Sequence, residues 1–122
     1  MAASCSVNIL AELTGLGKEL KIPERFSTTA TPTRVFYQYM VQATADTNEA
    51  IAVGDVGTIE LIIMHCVAND VDVDTSYSVA FSAEITIPEG EMAIFKPTGT
   101  VHIKNDDAAE QSTVEYWIIG TA

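Results

Sequence analysis

Apolar and polar residues alternate through the second half of this chain in short runs cut by proline and glycine. Residues 84–87 alternate, Pro88-Glu89-Gly90-Glu91 turns the chain, and residues 92–95 lead to a second turn at Pro97-Thr98-Gly99. Residues 100–104 alternate again, residues 105–111 are polar, and Thr113-Val114-Glu115-Tyr116-Trp117-Ile118-Ile119 makes a last apolar run. Period-two alternation in β-branched and aromatic residues predicts strands, and the Pro and Gly between them predict turns.

The first half reads the same way. Residues 6–14 predict a strand ended by Gly15-Leu16-Gly17, residues 18–22 a second that stops at Pro23, and residues 26–31 a Ser/Thr-rich stretch. Residues 34–42 predict a strong strand, with Val35, Tyr37, Tyr39 and Val41 on one face and Phe36 and Met40 on the other. Residues 43–48 form a polar loop, 50–53 a brief strand, and 58–67 a long one. The Asn69-Asp70-Val71-Asp72-Val73-Asp74 stretch reads as a solvated loop before residues 77–87. Apolar residues never recur at helical spacing for ten positions, so at most one helical turn is expected, near residues 106–110. Roughly eight to ten strands in one domain must close on themselves or fold into two layers. The expected fold is therefore all-β: a single-domain antiparallel sandwich, jelly-roll-like, over residues 7–122, with residues 1–6 as an N-terminal arm.

Composition sharpens this. Six basic residues against 17 acidic give a net charge of −11, yet mean hydropathy is +0.20. High charge without low hydrophobicity is not the signature of disorder. Nucleic-acid binding is disfavoured, because Lys18, Lys21, Arg25, Arg34, Lys96 and Lys104 are too few and too scattered to displace phosphate counterions. The longest aliphatic run, Leu61-Ile62-Ile63-Met64, is far short of the ~20 residues of a membrane-spanning helix. Without a basic, then apolar, leader at the N-terminus, synthesis in a cytoplasm is expected, with Cys5 and Cys66 as free thiols.

Three strands depart from clean alternation. Residues 35–41, 59–67 and 116–119 are apolar on both faces, whereas a strand in an isolated two-layer sandwich needs only one. Either a loop or arm of the same chain covers the second face, or another subunit does. The subunit reading puts Tyr37, Tyr39, Ile62, Met64 and Trp117 at an oligomer interface, with the aromatic rings as anchors.

Reactive chemistry is sparse. Gly90-Glu91-x5-Pro97-x-Gly99-x2-His102 resembles the second motif of cupins, whose histidine is a metal ligand, but His65 is the sole other histidine. A catalytic metal generally needs three protein ligands and an open position, so no metal site is expected there. Asp70, Asp72 and Asp74 are a weak calcium candidate, since hard cations take six to eight oxygens. Neither cysteine has a nucleophile motif, and Gly15-x-Gly17 opens no helix that would bind phosphate. Glu84, Glu89, Glu91 and Glu115 read as exposed strand and turn charges. No catalytic residue and no cofactor is expected.

A resemblance joins these features. Gly54-Asp55, Thr58-Ile59-Glu60-Leu61-Ile62-Ile63, the Asp-rich stretch, Ile87-Pro88-Glu89-Gly90-Glu91-Met92-Ala93-Ile94-Phe95-Lys96-Pro97 and Val114-Glu115-Tyr116-Trp117-Ile118-Ile119-Gly120 look like the small structural proteins of tailed bacteriophages. Leu13-Thr14-Gly15-Leu16-Gly17-Lys18 fits the same pattern. The chain is similar in style to jelly-roll decoration, or cement, proteins that trimerise outside an icosahedral head. That resemblance implies a virion protein on the capsid exterior, a homotrimer whose partner is the major capsid protein, with no catalytic residues. A receptor- or glycan-binding fibre or tail-tip module is the alternative it leaves open.

Overall fold

In the computed structural model, which describes residues 3–15, 17, 20–27, 31–42, 47–107 and 109–122, the alternating segments become ten strands. They are β1 (Ser6–Leu13), β2 (Leu20–Ser27), β3 (Arg34–Val41), β4 (Glu49–Ala50), β5 (Thr58–Ala68), β6 (Val71–Tyr77), β7 (Ile85–Ile87), β8 (Met92–Phe95), β9 (Thr100–Asn105) and β10 (Thr113–Thr121). No helix occurs among the described residues. Near residues 106–110 the Glu110 N–H donates to the Asp107 carbonyl at 3.0 Å and the Ala109 N–H to Asp107 Oδ1 at 2.9 Å.

Pairing follows a nested rule. β3 pairs with β10, β4 with β9, β5 with β8 and β6 with β7, every pair antiparallel. That is one long hairpin whose two arms are wrapped into two layers, the jelly roll. Wrapping gives sheet I the order β3-β10-β5-β8 and sheet II the order β4-β9-β6-β7. The expected sandwich is the observed one.

The core lies between the sheets. Ile62, Met64, Cys66, Val114, Tyr116 and Ile118 of sheet I meet Val71, Val73, Ile87, Val101 and Ile103 of sheet II, all buried. Each fully buried Val or Ile contributes about 1.5–3 kcal/mol. Tyr116 satisfies its hydroxyl by donating to the Ala52 carbonyl at 2.9 Å, and its ring meets Phe36 at 6.5 Å between centroids. Burial pushes the Cys66 thiol up to about 11, so it behaves as a small core side chain rather than a nucleophile.

Two glycines are required by geometry. Gly90, at φ 84°, supplies the left-handed position of the turn closed by the Glu91 N–H on the Pro88 carbonyl at 3.0 Å. Gly120 lies where β10 crosses β5, and a Cβ there would stand 2.0 Å from the Thr58 carbonyl oxygen.

Two expectations are corrected. β2 does not stop at Pro23 but runs through it to Ser27, opposite Leu10. A two-stranded ribbon leaves many backbone groups unpaired, so proline's missing N–H removes no obligatory ladder bond. The Asp-rich stretch is strand β6 from Val71 onward, not a loop, because Val71 and Val73 are core residues and the aspartates occupy alternate positions. β1 and β2 belong to neither four-stranded sheet and pair with each other, so the two-layer sandwich is built from β3 to β10. Parts of the predicted 18–22, 26–31 and 43–48 segments lie outside the described residues.

Candidate interaction surface

Sheet I turns an apolar face away from the core. The register across its four strands aligns Tyr37, Trp117, Ile63 and Ile94 in one row, and Tyr39, Glu115, His65 and Met92 in the next. Val35 beside Ile119 and Val41 beside Thr113 extend the face at its two ends. Along β3, Val35 is 66% exposed, Tyr37 49%, Tyr39 56% and Val41 51%, while Phe36 and Met40 pack against the core. The face is continuous rather than a scatter of single apolar side chains, which is the distinction that marks an interaction surface.

Its centre carries one polar network. Tyr37 donates its hydroxyl to Glu115 Oε2 at 2.7 Å, and Glu115 Oε1 lies 3.0 Å from His65 Nδ1. The hydrogen bonds from Tyr37 and then His65 hold the Glu115 carboxyl below its usual range. The same carboxylate raises the Tyr37 phenol. Tyr37 also leans on Trp117, with ring centroids 5.1 Å apart and planes at 45°. The arrangement fixes ring positions on an otherwise greasy surface, and fixed aromatic rings lose little entropy on contact.

Sheet II is furnished differently. His102 stacks on Tyr77 at 3.6 Å between centroids and its Nδ1 lies 2.6 Å from Asn48 Oδ1. Lys104 Nζ stands 5.9 Å from the centre of the Phe81 ring, and Thr86 donates to Asp72 at 2.7 Å. The outer face of this sheet is thus polar, with the 78–84 connection beside it. Of the two sheets, sheet I has the apolar outer face.

Of the five interface residues expected from sequence, Tyr37, Tyr39 and Trp117 stand on the outer face of sheet I. Ile62 and Met64 do not: both are 0% exposed inside the sandwich, and the outward positions of β5 are Ile63 and His65. A bulge explains the error. Ile119 pairs with Leu61 but Gly120 pairs with Ile59, so Glu60 is an extra residue that shifts the alternation by one. Glu60 then sits beside Lys96 at 3.6 Å rather than marking a solvent face. Val35 and Val41 share the face of Tyr37 and Tyr39, as their alternation predicts, while Met92, Ile94 and the Glu115–His65 pair complete the surface with no sequence pattern that assigns them to it.

Each acidic candidate takes hydrogen bonds from neighbours within the chain. Asp74 accepts the Ser76 and Ser82 N–H groups at 3.0 Å each, bonds that hold its carboxyl low. Asp70 accepts the Glu89 N–H at 2.9 Å. Among the described residues no group of three or more His, Cys, Asp or Glu side chains could hold a metal ion. His65 and His102 lie on the outer faces of opposite sheets, with the core between them, so the cupin-like spacing reflects jelly-roll turns. Compared with protein-family models, curated proteins and solved structures, the chain matches none.

Proposed function

We propose that this protein is a structural component of a virus particle: a self-associating jelly-roll module, a homotrimer, that binds the outside of an assembled phage head and reinforces it. The observation that carries the reading is the aromatic and aliphatic outer face of sheet I. A sandwich stabilised by the core between its layers has no need of Val35, Tyr37, Tyr39 and Val41 on the opposite side of β3. Obligate subunit contacts do need such residues, because their centres are as apolar as a domain core. The phage-like strand and turn pattern and the jelly-roll fold support the same reading.

Reinforcement needs no reaction. A protein that binds only the closed shell stabilises that shell by mass action. The test is to mix purified protein with mature heads that lack it. Saturable occupancy of fixed lattice positions, with heads that withstand heat better than bare ones, is the expected result. One observation favours a second reading: the Tyr37–Trp117 pair beside the hydrogen-bonding Glu115 and His65 offers both stacking and polar contacts to a sugar. Location at fibre tips, with a glycan-dependent rise in melting temperature, would replace the decoration role with that one.

A further inference from the structure

The β1–β2 hairpin is the part of the molecule with no place in either sheet. Its register is amphipathic. One alternating set holds Val7, Ile9, Ala11 and Leu13 opposite Phe26, Glu24, Ile22 and Leu20, so seven of eight positions are apolar. The other set holds Ser6, Asn8, Leu10 and Glu12 opposite Ser27, Arg25, Pro23 and Lys21. A two-stranded ribbon is marginal in water unless its apolar side is covered, yet Ile9 is 43% exposed.

We infer that each copy's hairpin lays its apolar side across the outer face of sheet I on a neighbouring copy, covering Tyr37, Tyr39 and Trp117. This rests on the self-association reading above and names the element that mediates it. The root of the hairpin is held at one corner of sheet I: Ala3, Cys5, Thr31 and Thr33 line a groove with Val35 and Ile119, and the Thr33 N–H donates to the Gly120 carbonyl at 2.8 Å. Anchored there, the ribbon joins no strand of its own sandwich, and the face of that sandwich stays open.

Charge favours the same partner. Residues 1–33 contain Lys18, Lys21 and Arg25 against Glu12, Glu19 and Glu24, a net charge of zero. The remaining residues, 34–122, therefore carry the whole −11. Two such sandwiches repel when brought face to face, whereas a neutral hairpin approaches either without that penalty.

The test is a disulfide trap in the full chain. Ile9→Cys and Tyr39→Cys are placed on separate chains, each with Cys5→Ser, and co-expressed; circular dichroism verifies that each variant keeps its β signature. Cys66 is fully buried and does not compete. The expected product after mild oxidation is a bond between the two different chains, well above any like-with-like product. With both cysteines on one chain, linked oligomers should form rather than a closed monomer. A same-chain bond persisting at high dilution overturns the inference, since the hairpin then covers its own sheet. Predominantly like-with-like bonds also overturn it. An oligomer by sedimentation without any trap product removes the hairpin from the interface and leaves self-association standing; a monomer removes both.

Discussion

Ile62 and Ile63 are neighbours in the chain and face opposite sides of sheet I, the first into the core and the second into the row that contains Tyr37 and Trp117. They give a paired test of the proposal that the outer side of the sheet serves association. Ile62→Asp buries an unpaired charge among apolar side chains, a cost of several kcal/mol against the ~5–15 kcal/mol that holds a domain together, and should unfold the subunit. Ile63→Asp and Tyr37→Asp should leave a folded chain that no longer oligomerises. Circular dichroism and light scattering on the three variants separate the outcomes; simultaneous loss of fold in all three would place both faces in the subunit core.

Acidity should loosen the surface network. The folded state holds the Glu115 carboxyl low through Tyr37 and His65. A carboxyl depressed on folding contributes stability that is present above its unfolded value and is lost as pH falls through the folded value. The network is therefore intact at neutral pH and weakens as acid takes the solution below the usual carboxylate range. Glu115→Gln should flatten the acid limb of an association-against-pH profile measured by light scattering. An unchanged limb would show that other carboxylates govern it.

Asp106 has the opposite sign. Asp72 first, then burial and Asp70, raise its carboxyl above the ordinary value, so its ionised form is disfavoured in the fold. Asp106→Asn should raise the melting temperature at pH 7, and the gain should shrink as pH falls through the raised value towards the ordinary one. Melting scans at neutral pH and near pH 3.5 check the sign; a loss at neutral pH would contradict it.

At Gly120 the backbone itself is the contact. A methyl group there meets the Thr58 oxygen at 2.0 Å and a Val56 methyl carbon at 2.9 Å. Gly120→Ala should cost about 1–3 kcal/mol, as overpacking does, and displace the end of β10 from β5. Chemical denaturation measures the loss, and hydrogen exchange at residues 119–121 should report the local opening.

Much of the sandwich was legible in the sequence because turn residues punctuate it so regularly. Pro88-Glu89-Gly90-Glu91 and Pro97-Thr98-Gly99 bound β8 to within a residue of its observed limits. Clean parity also revealed the outward side of β3, since Val35, Tyr37, Tyr39 and Val41 alternate with the core-packed Phe36 and Met40. β5 hid its parity: apolar residues fill both sides from Leu61 to Met64, and the bulge at Glu60 breaks the count. β6 was obscured by aspartates, which are depleted in strands generally but here occupy the positions opposite the core-facing valines. The Tyr37–Glu115–His65 network joins residues 78 and 50 positions apart, and no local pattern marks such a union. The hairpin's two-sided character depends on β2 continuing past Pro23, where proline's missing N–H predicts a stop.

The nesting of the strands also fixes a timetable. β10 lies between β3 and β5, though it follows both in the chain, so a growing polypeptide holds an open slot in sheet I until β10 emerges. Tyr37 cannot meet Trp117 or Glu115 before then. Pairings between such distant segments are also slow to form. The outer face of sheet I is consequently among the last parts of the molecule to take shape during synthesis, and until β10 arrives the edges of β3 and β5 that it will join stand unpaired.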